Sequence, residues 1–372
     1  MHHVKGMEDS KNSKYIEGKG WRYDVEHSMK RRMEIHDYQS RSIYMITMSV
    51  TDRQPCLGSL TWSAPDGTDA TIVPSAIGRE VERCWYDIPQ FYPEIRVLGL
   101  QLMPDHIHGV LFVTNEMKTH LGKVIKGFKI GCSRALWKIE AQQAQPSTPT
   151  PSSAPSSSAN YNSPHLHPPR LTPPPPHRPL FEQGYQDSVL TGKGQLDNMM
   201  NYMRENPMRL AIKKMNPDLF RVITHLTIDG TTYAAIGNRW LLNRPVRLQV
   251  RCHNNTTEQN LRFIEKQKAY FLDRTSEGAV IVSPCISAGE KEIARAILDA
   301  KRPLITIIEK GFPPMYKPPG KYFTACAEGL LLMLAPWPYH MERRPITRTQ
   351  CLALNDMART LSTEPWSDDL IT

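Results

Sequence analysis

Two histidines lie one residue apart inside an apolar stretch of the chain. The run LQLMPDHIHGVLFV, at 100–113, contains His106 and His108 with Ile107 between them. Side chains of a strand alternate between its two faces, so both imidazoles are expected on one face and Ile107 on the other. Imidazole is a common metal ligand, and two on one face are placed to share a divalent ion. The alternative is a structural pair that is satisfied by neighbouring side chains.

The sequence around these histidines resembles a known catalytic motif. An apolar strand and the turn pair Pro104 and Asp105 lead into PDHIHG, and NYMRENPMRLAIKK follows at 201–214. The first segment resembles the HUH motif of the single-tyrosine transposases of small bacterial insertion sequences. The second resembles the Y-x-x-x-N-P-x-R helix of the REP-associated tyrosine transposase branch.

The resemblance implies a role for four residues. Tyr202 would be the nucleophile, and Asn206 would join His106 and His108 as ligands of a Mg²⁺ or Mn²⁺ ion. The implied reaction cleaves and rejoins single-stranded DNA, at a hairpin near the end of a mobile element, through a 5′-phosphotyrosine. It also implies a bacterial, cytoplasmic protein that acts as a monomer or a homodimer.

The spacing of the second motif suits this chemistry without the family. Residues i and i+4 share a helix face, so Tyr202 and Asn206 are expected side by side. One can reach a metal while the other faces a phosphate that the metal holds. A phenol ionises near pH 10 and is a weak nucleophile at neutral pH, so such a metal would help by polarising the phosphate.

Further polar residues are candidates for lesser roles. Asp187, just before the tyrosine helix, could approach the metal or orient a histidine, or be an ordinary surface carboxylate. Several basic side chains could contact DNA phosphates or belong to solvated faces. These DNA-binding candidates are Lys123, Lys126, Lys129, Arg204 and Arg209.

The elements that would position these residues follow the order β-α-β-β-α, a spacer, then β-α. This order predicts an α+β fold with a ferredoxin-like, split βαβ domain. We predict a polar arm at 1–40 and this HUH domain at 41–220. A Pro/Ser-rich insertion at 141–179 interrupts the domain and cannot bury a core. Pro207 is expected to end or kink the tyrosine helix near Asn206.

A second unit follows at 244–345, with a tail at 346–372. Its alternating strands and helices predict a small α/β domain. The segment 282–314 weakly resembles the Rossmann-like part of DNA-processing-protein-A-type domains, which implies a loop of Ser283, Ser287 and Gly289 facing an anion, with Glu290 in the first helical turn. GxGxxG is absent, which argues against a nucleotide site; the alternatives are a purely structural accessory domain and a DNA- or nucleotide-binding role. Cys285 near the helix start could have a lowered pKa.

Composition narrows the classes of function. The formal net charge is +9, which favours an anionic partner such as nucleic acid. The seven cysteines show no CxxC spacing, so reduced thiols are expected. A zinc site at the histidine pair would need a cysteine or third histidine at a fitting spacing, and none is evident. Signal-peptide and membrane-spanning patterns are absent, so no membrane partner is expected.

Two alternative functions share the expected fold. One is an HUH endonuclease of the replication-initiator or relaxase kind, which uses the same chemistry. The other is a domesticated transposase that binds hairpin DNA without turnover. The presence of all four residues, His106, His108, Tyr202 and Asn206, argues against the latter, because a decayed site would be free to lose one.

Overall fold

The protein divides into two compact units, 1–209 and 210–372. The computed structural model describes residues 13–16, 20–23, 36–143, 178–252, 257–313, 316–340, 342 and 345–364. Much of the predicted arm, most of the predicted insertion and the end of the predicted tail lie outside these residues. The mixture of helices and sheets confirms the predicted α+β class. Within the described residues, no helix is both long enough and apolar enough to cross a membrane.

The first unit contains one larger sheet and two short antiparallel pairs of strands. The sequence predicts no element within the arm and only a loop after the first strand, so both short pairs are additional. The elements are β1 (Ser13–Ile16), β2 (Gly20–Tyr23), β3 (Ser42–Ser49), β4 (Gly58–Thr61), β5 (Thr71–Pro74), α1 (Ala76–Tyr86), α2 (Ile88–Phe91), β6 (Ile95–Met103), β7 (His106–Val113), α3 (Leu121–Gln143), β8 (Gln186–Val189) and α4 (Gln195–Met215), which runs past residue 209.

The larger sheet has the strand order β6-β7-β3-β8, and every neighbouring pair is antiparallel. Two crossovers build this order. The first leaves β3 through α1 and returns at β6, leaving room for β7 between them. The second leaves β7 through α3 and returns at β8, on the other side of β3. Each crossover therefore joins two parallel strands that are separated by one antiparallel strand.

One face of this sheet is covered by α1 and α3. Trp85 of α1 is fully buried, and its ring centroid lies 5.1 Å from that of Phe128 of α3. The indole lies directly on the backbone of β7, because a Cβ added at Gly109 would be 2.1 Å from Cζ2 of Trp85. Ser75 starts α1 by accepting a hydrogen bond from the Gly78 amide. A glycine in a central strand is thus the condition for this helix to lie where it does.

The other face of the sheet is covered by α4. A buried apolar cluster is formed by Met45 of β3, Val110 of β7, Leu190, which precedes α4, and Met203 of α4. Leu196, Met199 and Met200 pack against it from the same helix. One apolar stripe along α4 is therefore formed by Leu196, Met199, Met200 and Met203, which recur at three- and four-residue intervals. The stripe fixes both the position of α4 and its rotation about its own axis.

The prediction that Pro207 ends or kinks α4 near Asn206 is wrong about the end. The helix continues through Pro207 to Met215. Proline in a helix interior removes one backbone hydrogen bond and costs about 3 kcal/mol. Buried residues on both sides of it, Met203 and Ala211, offset that cost. Packing of an apolar stripe therefore outweighs the local preference.

The second unit is a six-stranded sheet with helices on both faces. Its order is β11-β12-β13-β14-β10-β9; the first four strands are parallel, and the last two are antiparallel additions. The elements are α5 (Pro217–Phe220), β9 (Ile223–Ile228), β10 (Thr231–Gly237), β11 (Arg247–Gln249), α6 (Glu258–Ser276), β12 (Val280–Ser283), α7 (Ala288–Asp299), β13 (Leu304–Ile307), α8 (Lys321–Ala327), β14 (Leu331–Ala335) and α9 (Arg348–Leu361).

The direction of the strand order decides which helices share a face. Because each parallel strand is added on the same side of the previous one, right-handed crossovers place α6, α7 and α8 on one face. Ile281 of β12 accordingly packs in the core with Ile264, Ile293 and Phe323 of those helices. Val282, one residue later, joins Leu354 and other residues of α9 in the core of the opposite face.

The hairpin formed by β9 and β10 is absent from the sequence prediction, which begins the second domain at 244. Its turn is Asp229-Gly230, with φ of 46° and 77°. An Asp-Gly pair with both φ values positive is a favoured two-residue hairpin turn. The sequence contains this Asp-Gly signal. The strands on either side alternate only weakly between apolar and polar residues, so the sequence does not predict the hairpin.

We expect Gly109→Ala to lower the free energy of unfolding by about 1–3 kcal/mol, because the added methyl group overlaps a buried indole that cannot move aside. Urea denaturation measures this. Gly127→Ala is the matched control, since a Cβ at this exposed α3 position meets only the Tyr92 hydroxyl at 3.9 Å. That variant should gain about 0.5–1 kcal/mol through helix propensity. Equal stability of Gly109→Ala and wild type would contradict the packing described here.

Candidate active site

The hairpin of β6 and β7 places both histidines on one face of the sheet. Residue pairing sets His106 opposite Ser49 and His108 opposite Thr47, so the two histidines have the same orientation in β7. Their ring centroids are 4.9 Å apart. His108 is 7% exposed and the side chain of His106 is 21% exposed. The pair is therefore half-sheltered, with one ring deep and the other nearer the surface.

Each histidine is oriented through its Nδ1 atom. Nδ1 of His106 lies 2.6 Å from Oδ1 of Asp105, and Nδ1 of His108 lies 2.9 Å from Oγ1 of Thr47. Burial would raise the pKa of Asp105, but the hydrogen bond and charge of His106, with Arg53 nearby, bring that pKa below its ordinary value. Such partners fix the orientation of an imidazole and direct its Nε2 atom toward a ligand.

The sequence predicts neither orienting residue. Asp105 belongs to the turn pair and had no assigned role beyond the turn, although its position directly before His106 was a usable signal. Thr47 lies on a different strand, 61 residues from His108. Only the register between β3 and β7 brings these two side chains together, and a sequence alone does not fix that register.

Helix α4 brings Tyr202 to the histidines. The ring centroids of Tyr202 and His108 are 5.7 Å apart. Asn206 lies one turn further along α4 and is 2% exposed. Arg209 continues the same side of the helix; its Cζ is 5.9 Å from the centre of the Tyr202 ring, and it is 7% exposed. Two imidazoles, a phenol, a carboxamide and a guanidinium therefore occupy one region of the first unit.

A row of polar side chains crosses the sheet at this level. Gln101 of β6 is opposite His108, His108 is opposite Thr47, and Thr47 is opposite Gln186 of β8. Side chains at directly paired positions share a face. Gln186 is exposed. The polar row thus leads from the sheltered imidazoles to an accessible strand, and sequence analysis assigned no role to Gln101 or Gln186.

The structure contradicts the expectation that Asp187 approaches the metal or orients a histidine. Asp187 is opposite Ile46, one residue away from Thr47, so it lies on the other face of the sheet. There Oδ2 of Asp187 accepts a hydrogen bond of 2.7 Å from the Tyr38 hydroxyl. Side chains alternate between the two faces of a strand, so a shift of one position places Asp187 on the face opposite the histidines.

Most of the basic DNA-binding candidates lie away from the histidines. Lys123, Lys126 and Lys129 are on α3, which covers the opposite face of the sheet. Nζ of Lys129 donates hydrogen bonds to the carbonyls of Glu182 at 2.6 Å and Gly184 at 2.5 Å. It therefore supports the segment before β8. Arg204 is exposed two residues after Tyr202, on another side of α4, so Arg209 alone of the five adjoins the tyrosine.

The donor set around the histidine pair limits which third ligand a metal could have. Among the residues that the structure describes, no three His, Cys, Asp or Glu side chains come together as metal ligands. A third protein ligand at His106 and His108 would therefore be another oxygen donor. The buried carboxamide of Asn206 is such a donor, and its oxygen suits Mg²⁺ or Mn²⁺, whereas a structural zinc site is built from four Cys or His ligands.

In the second unit, backbone amides at the loop that is expected to face an anion already donate hydrogen bonds to side chains of the protein. Ser287 caps α7 by accepting a hydrogen bond from the Glu290 amide, and Oε2 of Glu290 accepts one of 2.7 Å from the Ile286 amide. Burial raises the pKa of Glu290 to about 7. The expected lowered pKa of Cys285 is wrong, since burial raises the pKa of this thiol.

Comparisons with known proteins show only distant likenesses. No family model matches the chain. A protein of unknown function from Haemophilus influenzae is 26% identical over 94 residues, which are 25% of this chain and 48% of that protein, so the match spans about half the length of this relative.

Two solved structures show weak similarity. A REP-associated tyrosine transposase bound to a REP hairpin has a TM-score of 0.29 and 9% identity, covering 48% of this chain and 74% of that one. A putative transposase from Deinococcus radiodurans has a TM-score of 0.25 and 12% identity, covering 47% and 97%. Both TM-scores lie well below 0.5, so any assignment of function has to come from the site itself.

We expect Lys129→Met to lower the free energy of unfolding by about 1–2 kcal/mol, because it removes charge-assisted hydrogen bonds to two backbone carbonyls. Lys126→Met is the control, as Lys126 lies three residues earlier on α3 with an exposed side chain. It should change stability by less than about 0.5 kcal/mol. Thermal or urea unfolding of both variants gives the comparison. Equal effects would mean that Lys129 is an ordinary surface lysine.

Proposed function

We propose that this chain is a transposase that cleaves and rejoins single-stranded DNA through a tyrosine nucleophile and a divalent metal. The observation that carries the proposal is the contact between Tyr202 of α4 and His108 of β7. These residues lie 94 positions apart in the sequence, and each belongs to a motif that resembles the same family. The packing of α4 on the sheet supplies the proximity that the two motifs require.

The metal would be held by His106, His108 and Asn206. Because Nδ1 of each histidine is engaged by Asp105 or Thr47, Nε2 is the atom that each imidazole would offer. When bound, a Mg²⁺ or Mn²⁺ ion polarises the scissile phosphate and stabilises the negative charge that grows in the transition state. Asp105 then has the position of a carboxylate that orients a ligating histidine, an arrangement common in metal sites.

Tyr202 would perform the covalent step. Its phenol oxygen attacks phosphorus, a bond from phosphorus to tyrosine forms, and the bond to the 3′ oxygen breaks. The proton that the phenol loses is balanced by the proton that the released 3′ oxygen gains. The product is a 5′-phosphotyrosine and a free 3′-OH. Attack by a different 3′-OH reverses the step and joins a new strand, with no external energy source.

The surroundings of Tyr202 suit a strand of DNA. Arg209 lies over the tyrosine ring and is placed to hold a phosphate of the bound strand. The polar row from His108 to the exposed Gln186 offers hydrogen bonds beside the reacting phosphate. The strand order of the sheet supports a ferredoxin-like HUH domain. The net charge of +9 favours a polyanionic partner over a neutral one.

The remaining details of the proposal come from the motif resemblance. They are a hairpin in the DNA substrate, action as a monomer or homodimer, and a cytoplasmic location in a bacterium.

The proposal predicts a covalent complex of the protein with DNA. Purified protein would be incubated with labelled single-stranded DNA from both flanks of its own gene, with Mn²⁺, with Mg²⁺ or with a chelator. A labelled protein band on a denaturing gel is expected only with metal. Tyr202→Phe should remove the band, because the attacking oxygen is gone, and His106→Ala should remove it or reduce it by about a hundredfold or more.

Tyr86→Phe is the matched control, since Tyr86 is an exposed tyrosine of α1. It should leave the covalent band unchanged. Persistence of the band in Tyr202→Phe would show that another residue is the nucleophile. Strand binding with no covalent band under any metal would exclude the enzyme and favour a DNA-binding protein without turnover.

A second prediction concerns the orientation of His106. Asp105→Asn should weaken Mn²⁺ binding by about 10- to 100-fold, because the orienting carboxylate is replaced by an uncharged amide. Titration followed by the electron paramagnetic resonance signal of free Mn²⁺ measures this affinity. Cleavage should recover at high Mn²⁺ concentration, since Tyr202 is intact.

Asp187→Asn is the control for this prediction. It makes the same chemical change on the other face of the sheet, where the new amide oxygen can still accept the hydrogen bond from Tyr38. Its Mn²⁺ affinity should equal that of wild type. Equal weakening in both variants would mean that general charge, and no specific contact with His106, governs metal binding.

A further inference from the structure

The second unit contains a pocket at the carboxyl ends of its parallel strands. It has a volume of about 700 Å³. Its walls come from the segments that follow β12 and β13 and from the sides of α7, α8 and α9, including Ile286, Ile308 and Leu354. Ligands of open α/β sheets bind outside the carboxyl ends of the strands. Nothing in the proposed transposase chemistry uses this pocket.

The charges that line the pocket are mostly positive. Lys291, Arg295, Lys310 and Lys321 contribute four cations, of which Lys321 is paired with Asp299, and Glu309 contributes one carboxylate. Glu309 is already engaged, because its Oε1 atom accepts hydrogen bonds from His340 at 2.8 Å and Gln350 at 3.2 Å. The pocket therefore has an excess of hydrogen-bond donors with positive charge, which is complementary to a ligand with several negative charges.

The cations come from three separate elements. Lys291 and Arg295 are exposed and one turn apart on α7, so they share a helix side. Lys310 follows β13, with its Nζ 5.7 Å from the centre of the Tyr339 ring, and Lys321 begins α8 in an ion pair with Asp299. A single bound phosphate chain could contact groups from all three elements.

The N-terminus of α7 is not the anion site. The carboxylate of Glu290 occupies it, through the hydrogen bond from the Ile286 amide. An incoming anion at that point would meet this buried acidic group at close range. The anion-binding part of the pocket must therefore be the wall formed by the four cations, away from the loop of Ser283, Ser287 and Gly289.

The rest of the wall is apolar. It is lined by Ile286, Leu298, Ile308, Leu354 and Tyr322, with Thr306 among them. A bare inorganic anion would leave these surfaces uncovered. A ligand that has phosphates at one end and a flat, weakly polar ring system at the other would cover both parts. The volume falls within the range of about 300–1,000 Å³ that is usual for small-molecule sites.

We propose that this pocket binds a nucleoside polyphosphate or a ligand of the same chemistry, with its phosphates on Lys291, Arg295, Lys310 and Lys321 and its ring system against the apolar wall. The pocket belongs to the second unit, whereas the histidine and tyrosine residues belong to the first. It would make the chain responsive to a small phosphorylated molecule in addition to its DNA substrate.

Fluorescence titration of the full chain with methylanthraniloyl-ATP tests this proposal, in a buffer with a chelator that keeps the first unit free of metal. Saturable binding that is displaced by ATP is expected. Tripolyphosphate should need about tenfold or higher concentrations for the same displacement, because it has no ring system for the apolar wall. Its equal potency would overturn the nucleotide assignment.

Charge reversal locates the site. Lys291→Glu with Arg295→Glu should weaken binding by about tenfold or more, because two attractive contacts become repulsive. Lys301→Glu with Arg359→Glu is the matched control, since these exposed side chains carry the same charge and do not line the pocket. The control should bind like wild type, and thermal unfolding should show both variants folded.

Two further results would overturn the proposal. Equal weakening in both double variants would mean that the probe responds to overall charge alone. Stronger displacement of the probe by a short oligothymidylate than by ATP would mean that the pocket is part of a nucleic-acid surface and no small-molecule site. Neither result would bear on covalent cleavage by the first unit, which is measured separately.

Discussion

The proposed chemistry depends on one packing interaction, the apolar contact of α4 with the sheet. Met45, Val110, Leu190 and Met203 are buried together, and three further α4 side chains extend the contact. Burial of a methionine or leucine side chain contributes about 1.5–3 kcal/mol, so the cluster can hold the helix through the cost of an internal proline. This contact fixes the rotation of α4, which holds the Tyr202 ring with its centroid 5.7 Å from that of His108. Weakening this cluster would move Tyr202 away from His106 and His108 without changing any of these three residues.

The two faces of the sheet of the first unit differ in what they pack against and in their polarity. On one face, Trp85 and Phe128 pack α1 and α3 against the sheet. The other face is apolar beneath α4 and polar along the row from Gln101 to Gln186. The strand alternation that separates these functions also explains why Asp187, adjacent to Gln186, has no access to the histidines. A single sheet thus supplies both a stable support and a polar surface.

The sequence allows the local parts of this arrangement to be predicted, because they follow from fixed periods. The two-residue period of a strand puts His106 and His108 on one face, and the helical period puts Tyr202 beside Asn206. Contacts between residues that lie far apart in the sequence could not be predicted. Thr47 meets His108 only through the register of two strands, and Lys129 meets the carbonyls before β8 across the whole insertion. Glu290 is a third case, since its burial against the loop of Ile286 depends on the surrounding core.

We propose above all that His106 and His108 hold a divalent metal directly beside Tyr202. Diffraction from crystals grown with Mn²⁺, using the anomalous signal of manganese, tests it most directly. We expect an anomalous peak between the Nε2 atoms of both histidines, with the Asn206 carboxamide as a neighbour and the Tyr202 hydroxyl on the same side. A peak elsewhere, or none at this position in crystals saturated with Mn²⁺, would contradict it and leave the histidine pair as a structural feature of the sheet.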